Sequence, residues 1–153
     1  MRVSPYEPVH AAATAALFHA SVHRLAVAEY TPQQCQAWSP APPDTDSWNA
    51  RLAGMWSWVA LDGQELIGFL ALRQDGYLDL LYVHPELAGK GVAQTLYDVA
   101  IAEAGRRQLT RLTTHASHLA RRFFARQGWH YDGENRVERG GIVMTNHRMS
   151  LTL

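Results

Sequence analysis

The sequence predicts an α+β domain whose mixed sheet starts as an antiparallel meander, turns parallel at a later crossover and is flanked by helices. Three observations carry this reading. Leu17, Phe18, Val22 and Leu25 recur at helical spacing within residues 9–28. Three strand-like runs, Ser57–Leu61, Glu65–Arg73 and Tyr77–Val83, are separated by Asp62-Gly63 and Asp75-Gly76, both hairpin turns. A helix over Val92–Ala104 then leads to a strand over Leu109–Thr114, the pattern of a parallel crossover. With 153 residues and no internal repeat, linker or charge block, the chain reads as one domain over 1–153.

The remaining elements follow from local chemistry. Met1–Tyr6 supplies a short edge strand ended by Pro5 and Pro8, because proline lacks the N–H a ladder needs. Pro32 opens a short helix through Trp38, and Pro40, Pro42 and Pro43 end it. Side-chain oxygens between Asp44 and Ser47 can cap a further helix that stops at Gly54. Gly105 suits the C-terminal cap of the helix that starts at Val92. A helix over His118–Gln127 ends at Gly128, where a left-handed cap is followed by the apolar Trp129. The alternation of Met149, Leu151 and Leu153 predicts a last strand.

Composition excludes several classes. A hydrophobic share of 47% supports a sizeable core, and 14 basic against 14 acidic residues leave no net charge to steer toward nucleic acid or an anionic membrane. The single Cys35 excludes an intrachain disulfide and a thiolate-rich metal site, which points to a reducing, cytoplasmic setting. No stretch approaches the ~20 apolar residues of a membrane span. His115-x-x-His118 crosses a strand-to-helix junction without a nearby carboxylate, so no metal is expected there.

The informative segment runs from Leu80 to Ala93: a strand, then His84-Pro85-Glu86-Leu87-Ala88-Gly89-Lys90-Gly91, then a helix. Small side chains let a ligand approach the backbone, and a helix N-terminus turns free N–H groups and positive dipole toward an anion such as a diphosphate. A turn whose glycines only relieve strain is the competing reading. Lys90 is followed by Gly91 rather than Ser or Thr, which excludes a P-loop, and the two glycines after a meander do not make a dinucleotide fingerprint.

Ala88-Gly89-Lys90-Gly91-Val92-Ala93 resembles the acetyl-CoA signature of the GCN5-related N-acetyltransferases, Arg/Gln-x-x-Gly-x-Gly/Ala, with Ala88 in place of the usual Arg or Gln. Ser117-x-x-Ala120-x-x-Phe123-Phe124-x-x-x-Gly128-Trp129 is similar to the family's Asn-x-x-Ala-x-x-Phe-Tyr-x-x-x-Gly-Phe segment, and Tyr30–Trp38 looks like a bacterial subgroup. The resemblance implies acetyl-CoA as co-substrate, a small-molecule or protein amine as acceptor, and allows a homodimer. It implies that the backbone of Leu81, Tyr82 and Val83 holds the pantetheine arm like an added strand, and that N–H groups of Ala88, Gly89, Lys90, Gly91, Val92, Ala93 and Gln94 surround the diphosphate. Ser117, in the place of the family's Asn, has a shorter reach toward the cofactor arm, and Phe123 and Phe124 pack near the cofactor. Lys90, the sole lysine, is a candidate phosphate contact, although an arginine-biased composition also explains its isolation.

Transfer requires an amine stripped of its proton, a polarised thioester carbonyl and a leaving thiolate. Many relatives protonate the thiolate with a tyrosine where this chain has Phe124, so Tyr82 and Tyr131 become the candidate acids. Asp79, in an apolar strand, is the candidate base; an anchoring bond to a backbone group or an arginine is its structural alternative. His115 is a candidate substrate contact; the resemblance implies that the connection carrying Tyr30 and Trp38 walls the acceptor site, with ordinary packing as the alternative. Trp48, Trp56, Trp58 and Trp129 are assigned to the core. Beside an N-acetyltransferase, two other classes stand: a non-catalytic acyl-CoA-binding module, suggested by Ser117 and Phe124, and a nucleotide-binding regulatory protein, suggested by the glycine turn alone.

Overall fold

The computed structural model describes residues 1–24 and 28–153. Seven strands and five α-helices follow in the order β1 (Arg2–Pro5), α1 (Ala11–Arg24), α2 (Pro32–Trp38), α3 (Thr45–Ala53), β2 (Trp56–Asp62), β3 (Glu65–Leu72), β4 (Leu78–Val83), α4 (Val92–Arg106), β5 (Arg111–Ala116), α5 (His118–Arg126), β6 (His130–Arg139) and β7 (Ile142–Thr152). Strands β1–β4 form one antiparallel sheet in sequence order, and β5, β7 and β6 form a second antiparallel sheet. The expected parallel relation is confined to one bridge, Tyr77 to Thr113. Past that bridge β4 and β5 share no ladder, which leaves an open wedge between the two sheets.

After the exposed Glu65, β3 is apolar, and every residue from Ile67 to Leu72 is buried, because it has helices on both faces. On one face Leu17, Trp48, Leu52, Phe69 and Leu80 pack beneath α1 and α3. On the other, Leu70, Leu96, Ala100, Leu112, Phe124 and Trp129 join α4 and α5 to the sheets. A Cβ at Gly68 would lie 3.0 Å from Val92 Cγ1 and 3.1 Å from Leu96 Cδ1, so the missing side chain lets the start of α4 sit close against β3. That contact fixes where the glycine turn points.

The capping logic holds in detail at α5. The N–H of Gly128 donates to the Ala125 carbonyl, that of Trp129 to the Phe124 carbonyl, and Gly128 has φ +87°. Trp129 returns to pack on Phe124 with ring centroids 4.8 Å apart, the apolar contact that accompanies this cap. In α2, Thr31 and Gln34 form a reciprocal capping box behind Pro32. Asp44 caps α3 through the Ser47 N–H at 3.0 Å.

Three expectations are corrected. Gly105 lies inside α4, and the left-handed residue after it is Gln108 at φ +58°, with Leu109 N–H closing the cap on the Ala104 carbonyl. The last strand starts earlier, at Ile142, and is preceded by β6, which the sequence reading left out. β6 is polar and largely exposed, so it shows little apolar alternation; its signal was Gly140-Gly141, the turn that joins it to β7. The first helix is divided, with a 3₁₀ turn over Pro8–His10 before Ala11, and Leu25 of its predicted stripe lies outside the described residues. No helix among the described residues is long and apolar enough to cross a membrane.

Candidate active site

The wedge between the sheets holds two adjoining cavities. The first, of about 400 Å³, runs along the glycine turn between β4, the start of α4 and α5. Gly89 and Gly91 line it at φ +77° and +86°, and a Cβ built on either would meet nothing within 4 Å. The first intrahelical bond of α4 is Thr95 N–H to the Gly91 carbonyl, so the N–H groups of Val92, Ala93 and Gln94 are left without helical partners. These residues line the same cavity, so the helix start turns N–H donors and its positive dipole end toward that space, a chemistry that suits an anion.

β4 supplies the adjoining wall. It is the last strand of its sheet, and between Leu78, whose carbonyl accepts from Thr114 Oγ1 at 2.8 Å, and Val83, whose carbonyl accepts from Ser21 Oγ at 3.2 Å, its outer edge has no strand partner among the described residues. An extended ligand with amide groups can pair with such an edge as an extra strand. Leu81, Tyr82, Val83, Ala88, Gly89, Gly91, Val92, Ala93, Gln94, Ser117 and Phe123 all line this groove.

One expected contact lies elsewhere and another is partly occupied. Lys90 is not among the lining residues, and its N–H is already used, donating to the Leu87 carbonyl at 3.2 Å. The basic side chain that does line the groove is Arg126. It could have been found by spacing, since Leu119, Phe123 and Arg126 fall at i, i+4 and i+7 on one face of α5. Ser117 lines the groove, but its hydroxyl oxygen accepts the Ala120 N–H at 3.1 Å as the α5 N-cap, which leaves its O–H proton and one lone pair for a ligand.

The second cavity, of about 250 Å³, meets the first at Trp38, Leu81, Tyr82, Ser117 and Ala120, which line both. Its walls include Tyr30, Trp38, Tyr77, Asp79, His115 and Phe124. Tyr30 is 6% exposed and tied on both sides: its hydroxyl donates to the Thr145 carbonyl and accepts the His118 N–H, each at 3.1 Å. Burial raises its pKa, so it is a neutral wall. Phe124, 2% exposed, separates from Phe123 in role: it faces the second cavity, whereas Phe123 faces the groove.

Asp79 is held by Arg51 in a fork, with Nε to Oδ2 at 3.1 Å and Nη2 to Oδ1 at 3.0 Å. The anchoring alternative for this carboxylate is therefore the geometry present. Tyr82 stacks on Phe69 and meets Phe18 edge-on. Burial pushes its phenol far above the usual range, partly opposed by Arg51 and Arg139, so its proton stays in place. Tyr131 lines neither cavity; its hydroxyl lies 3.0 Å from His147 Nδ1 and Arg121 covers its ring at 4.3 Å. Its expected role as a proton donor to the thiolate has no geometric support. His115 lies 3.2 Å from the Tyr77 hydroxyl through Nδ1 and His118 lies 2.7 Å from His147 Nε2, so the two histidines of that short motif turn to different partners. Of the tryptophans, Trp48 and Trp129 are core residues, whereas Trp56 and Trp58 are half-buried. Arg51 and Arg139 are the charged cavity residues that the sequence did not reveal, Arg139 because it ends the polar strand β6.

His147 is 3% exposed, and burial, Arg121 and His118 lower its pKa, against a smaller opposite effect of Glu134. The folded chain therefore holds the neutral ring where the unfolded chain, with an ordinary value near ~6.5, already takes a proton. Its stabilising contribution is complete above that value and is lost as pH falls from there toward the folded pKa. Urea unfolding at pH 7.5 and 5.5 should show this decline, and His147→Gln should flatten it.

Comparisons with known proteins show what this chain is similar to. Residues 26–151 match the family model described as an acetyltransferase (GNAT) domain. A protein of Escherichia coli strain K12, the uncharacterized N-acetyltransferase YafP, is 34% identical over 149 residues, covering 97% of this chain and 94% of that one. A crystal structure from Rhodopseudomonas palustris, described as a GCN5-related N-acetyltransferase and as "Aminotransferase, Class-II", superposes with a TM-score of 0.94 at 36% identity, over 99% of this chain and 95% of that one. The fold is shared with yncA of Salmonella typhimurium, a structure with its cofactor acetyl-CoA, at a TM-score of 0.76 and 19% identity over 99% and 93% of the two chains.

Proposed function

The chain belongs to the GCN5-related N-acetyltransferase family and is an acetyltransferase, and from that premise we propose that it moves the acetyl group of acetyl-CoA directly to an amine held in the second cavity. The observation that carries this reading is the meeting of the two cavities at Tyr82 and Ser117, because direct transfer needs one continuous space for both reactants. The groove fits the cofactor through its open glycine cradle, the partnerless N–H groups of Val92, Ala93 and Gln94, and the free edge of β4. When bound there, acetyl-CoA supplies a thioester whose carbonyl carbon gains the C–N bond as its C–S bond breaks, the nitrogen losing a proton and the thiolate leaving.

The residues of this chain divide the remaining work. Tyr82, protonated at neutral pH and lining the junction, is the hydrogen-bond donor toward the departing sulfur; complete proton transfer is not required, since a thiol of pKa near ~8.5 leaves readily. Asp79 acts through Arg51 as a positioning residue for the cavity wall rather than as the base. Asp79→Asn should then lower kcat/KM for the acceptor roughly tenfold, the worth of a charge-assisted hydrogen bond, with acetyl-CoA affinity within about twofold. The acidic limb of the pH–rate profile should survive; its disappearance would return Asp79 to the role of base. The single Cys35, with no disulfide partner in the chain, supports a reducing, cytoplasmic setting for this activity.

Calorimetry and thiol release test the whole reading. The protein should bind acetyl-CoA and not ATP, which separates it from a nucleotide-binding regulator. Free coenzyme A should appear when an amine panel is supplied, which separates an enzyme from a silent acyl-CoA-binding module.

A further inference from the structure

The charges around the second cavity are lopsided. Asp79 is the one acidic side chain among its described lining residues, and Arg51 already occupies both of its oxygens. Arg139, the last residue of β6 before the Gly140-Gly141 turn, lines the same cavity and makes no ion pair among the described residues. One guanidinium charge is thus left uncompensated beside walls formed by Tyr30, Trp38 and Phe124. Arg51 and Arg139 oppose, and Asp79 adds to, the rise that burial imposes on the Tyr82 phenol, so the charges of this cavity reach the junction of the two cavities.

We propose that the acceptor is a compact amine that also carries a carboxylate, with the carboxylate bound by Arg139 and the amine turned toward the junction at Tyr82. This rests on the acetyltransferase reading above. A guanidinium fork matches a carboxylate in shape and charge. The same positive field repels an acceptor whose only charge is its ammonium group, and it favours the neutral, nucleophilic form of the amine. That effect matters in a cavity whose one carboxylate is already paired. A volume of about 250 Å³ lies below the ~300–1,000 Å³ of sites for drug-sized ligands, so the molecule is small. The reaction balances: the C–S bond breaks as the C–N bond forms, and the proton the nitrogen gives up passes to the departing sulfur, so that coenzyme A leaves as thiol, or to solvent water, so that it leaves as thiolate.

The test uses matched sets on one carbon frame: leucine, leucinamide and isopentylamine, and 4-aminobenzoate, 4-aminobenzamide and aniline. Coenzyme A thiol release should favour the carboxylate over the carboxamide by about tenfold or more in kcat/KM in at least one set, consistent with a charge-assisted hydrogen-bond pair. In Arg139→Gln that gap should narrow to within about threefold through KM, and Arg139→Lys should restore part of it. Melting temperature and acetyl-CoA affinity of the variants check that the fold is intact. Equal or better use of the carboxamide or the bare amine, or a carboxylate preference that persists in Arg139→Gln, overturns the proposal while leaving an acetyltransferase. If no member turns over, binding of leucine and 4-aminobenzoate to the coenzyme A complex decides by calorimetry: binding weakened by Arg139→Gln supports it, and no binding overturns it. Failure to bind acetyl-CoA would instead remove the underlying reading, and the proposal with it.

Discussion

Gly91→Val is expected to weaken acetyl-CoA binding on the order of 100-fold. Gly91 stands at φ +86° as the residue before α4, a conformation in which a β-branched residue is strained by about 1–3 kcal/mol. Relief of that strain would swing the N–H groups of Val92 and Ala93 away from the cradle. A side chain at this position would also project into space where nothing lies within 4 Å of the Cβ, on a residue that lines the groove. The loss can be read from thermal stabilisation. At a concentration one hundred times the wild-type Kd, acetyl-CoA adds about 2.7 kcal/mol to stability, and a hundredfold weaker site retains about 0.4 kcal/mol. Calorimetry measures the same change directly. A Kd within threefold of wild type would show that this turn is not where the diphosphate binds.

Phe124→Ala carries the largest expected effect on stability. The side chain is 2% exposed and wedged among Tyr97, Phe123 and Trp129, and its carbonyl closes the α5 cap. Truncating a buried phenylalanine costs about 3–5 kcal/mol, the lost burial plus the cavity left behind. In a chain of this size the melting temperature should fall by roughly 10–15 °C, at ~2–4 °C per kcal/mol. The same substitution removes a wall of the second cavity and loosens the helix that carries Ser117 and Ala120 at the junction, so acceptor KM should rise among the molecules that remain folded. Urea denaturation and steady-state kinetics separate the two effects. A loss below about 1 kcal/mol would show that the aromatic cluster does not pack as described.

Why some residues were legible in the sequence and others were not follows from how each signal arises. The glycine turn, the α5 cap and the β2–β4 meander announce themselves because their causes are local: positive φ at Gly91 and Gly128, an apolar residue after a cap, Asp-Gly between two runs. Tyr30 and Trp38 were found through a sequence resemblance, and the structure places both on the second cavity. Gln108 was missed because a non-glycine residue in the left-handed region has no compositional mark. Arg139 was missed because it sits at the end of a polar edge strand, where alternation between a buried and an exposed face is weak.

By itself the sequence carried the family, through its resemblance to known motifs, and the place of the glycine turn before α4, since that turn depends on backbone conformations that a few neighbouring residues dictate. Only the tertiary structure decided which charges meet. Arg51 and Asp79 are 28 positions apart, and Arg139 comes from the other sheet. Their convergence depends on two sheets that part after a single parallel bridge, and no short-range pattern in the chain records the angle at which they do so.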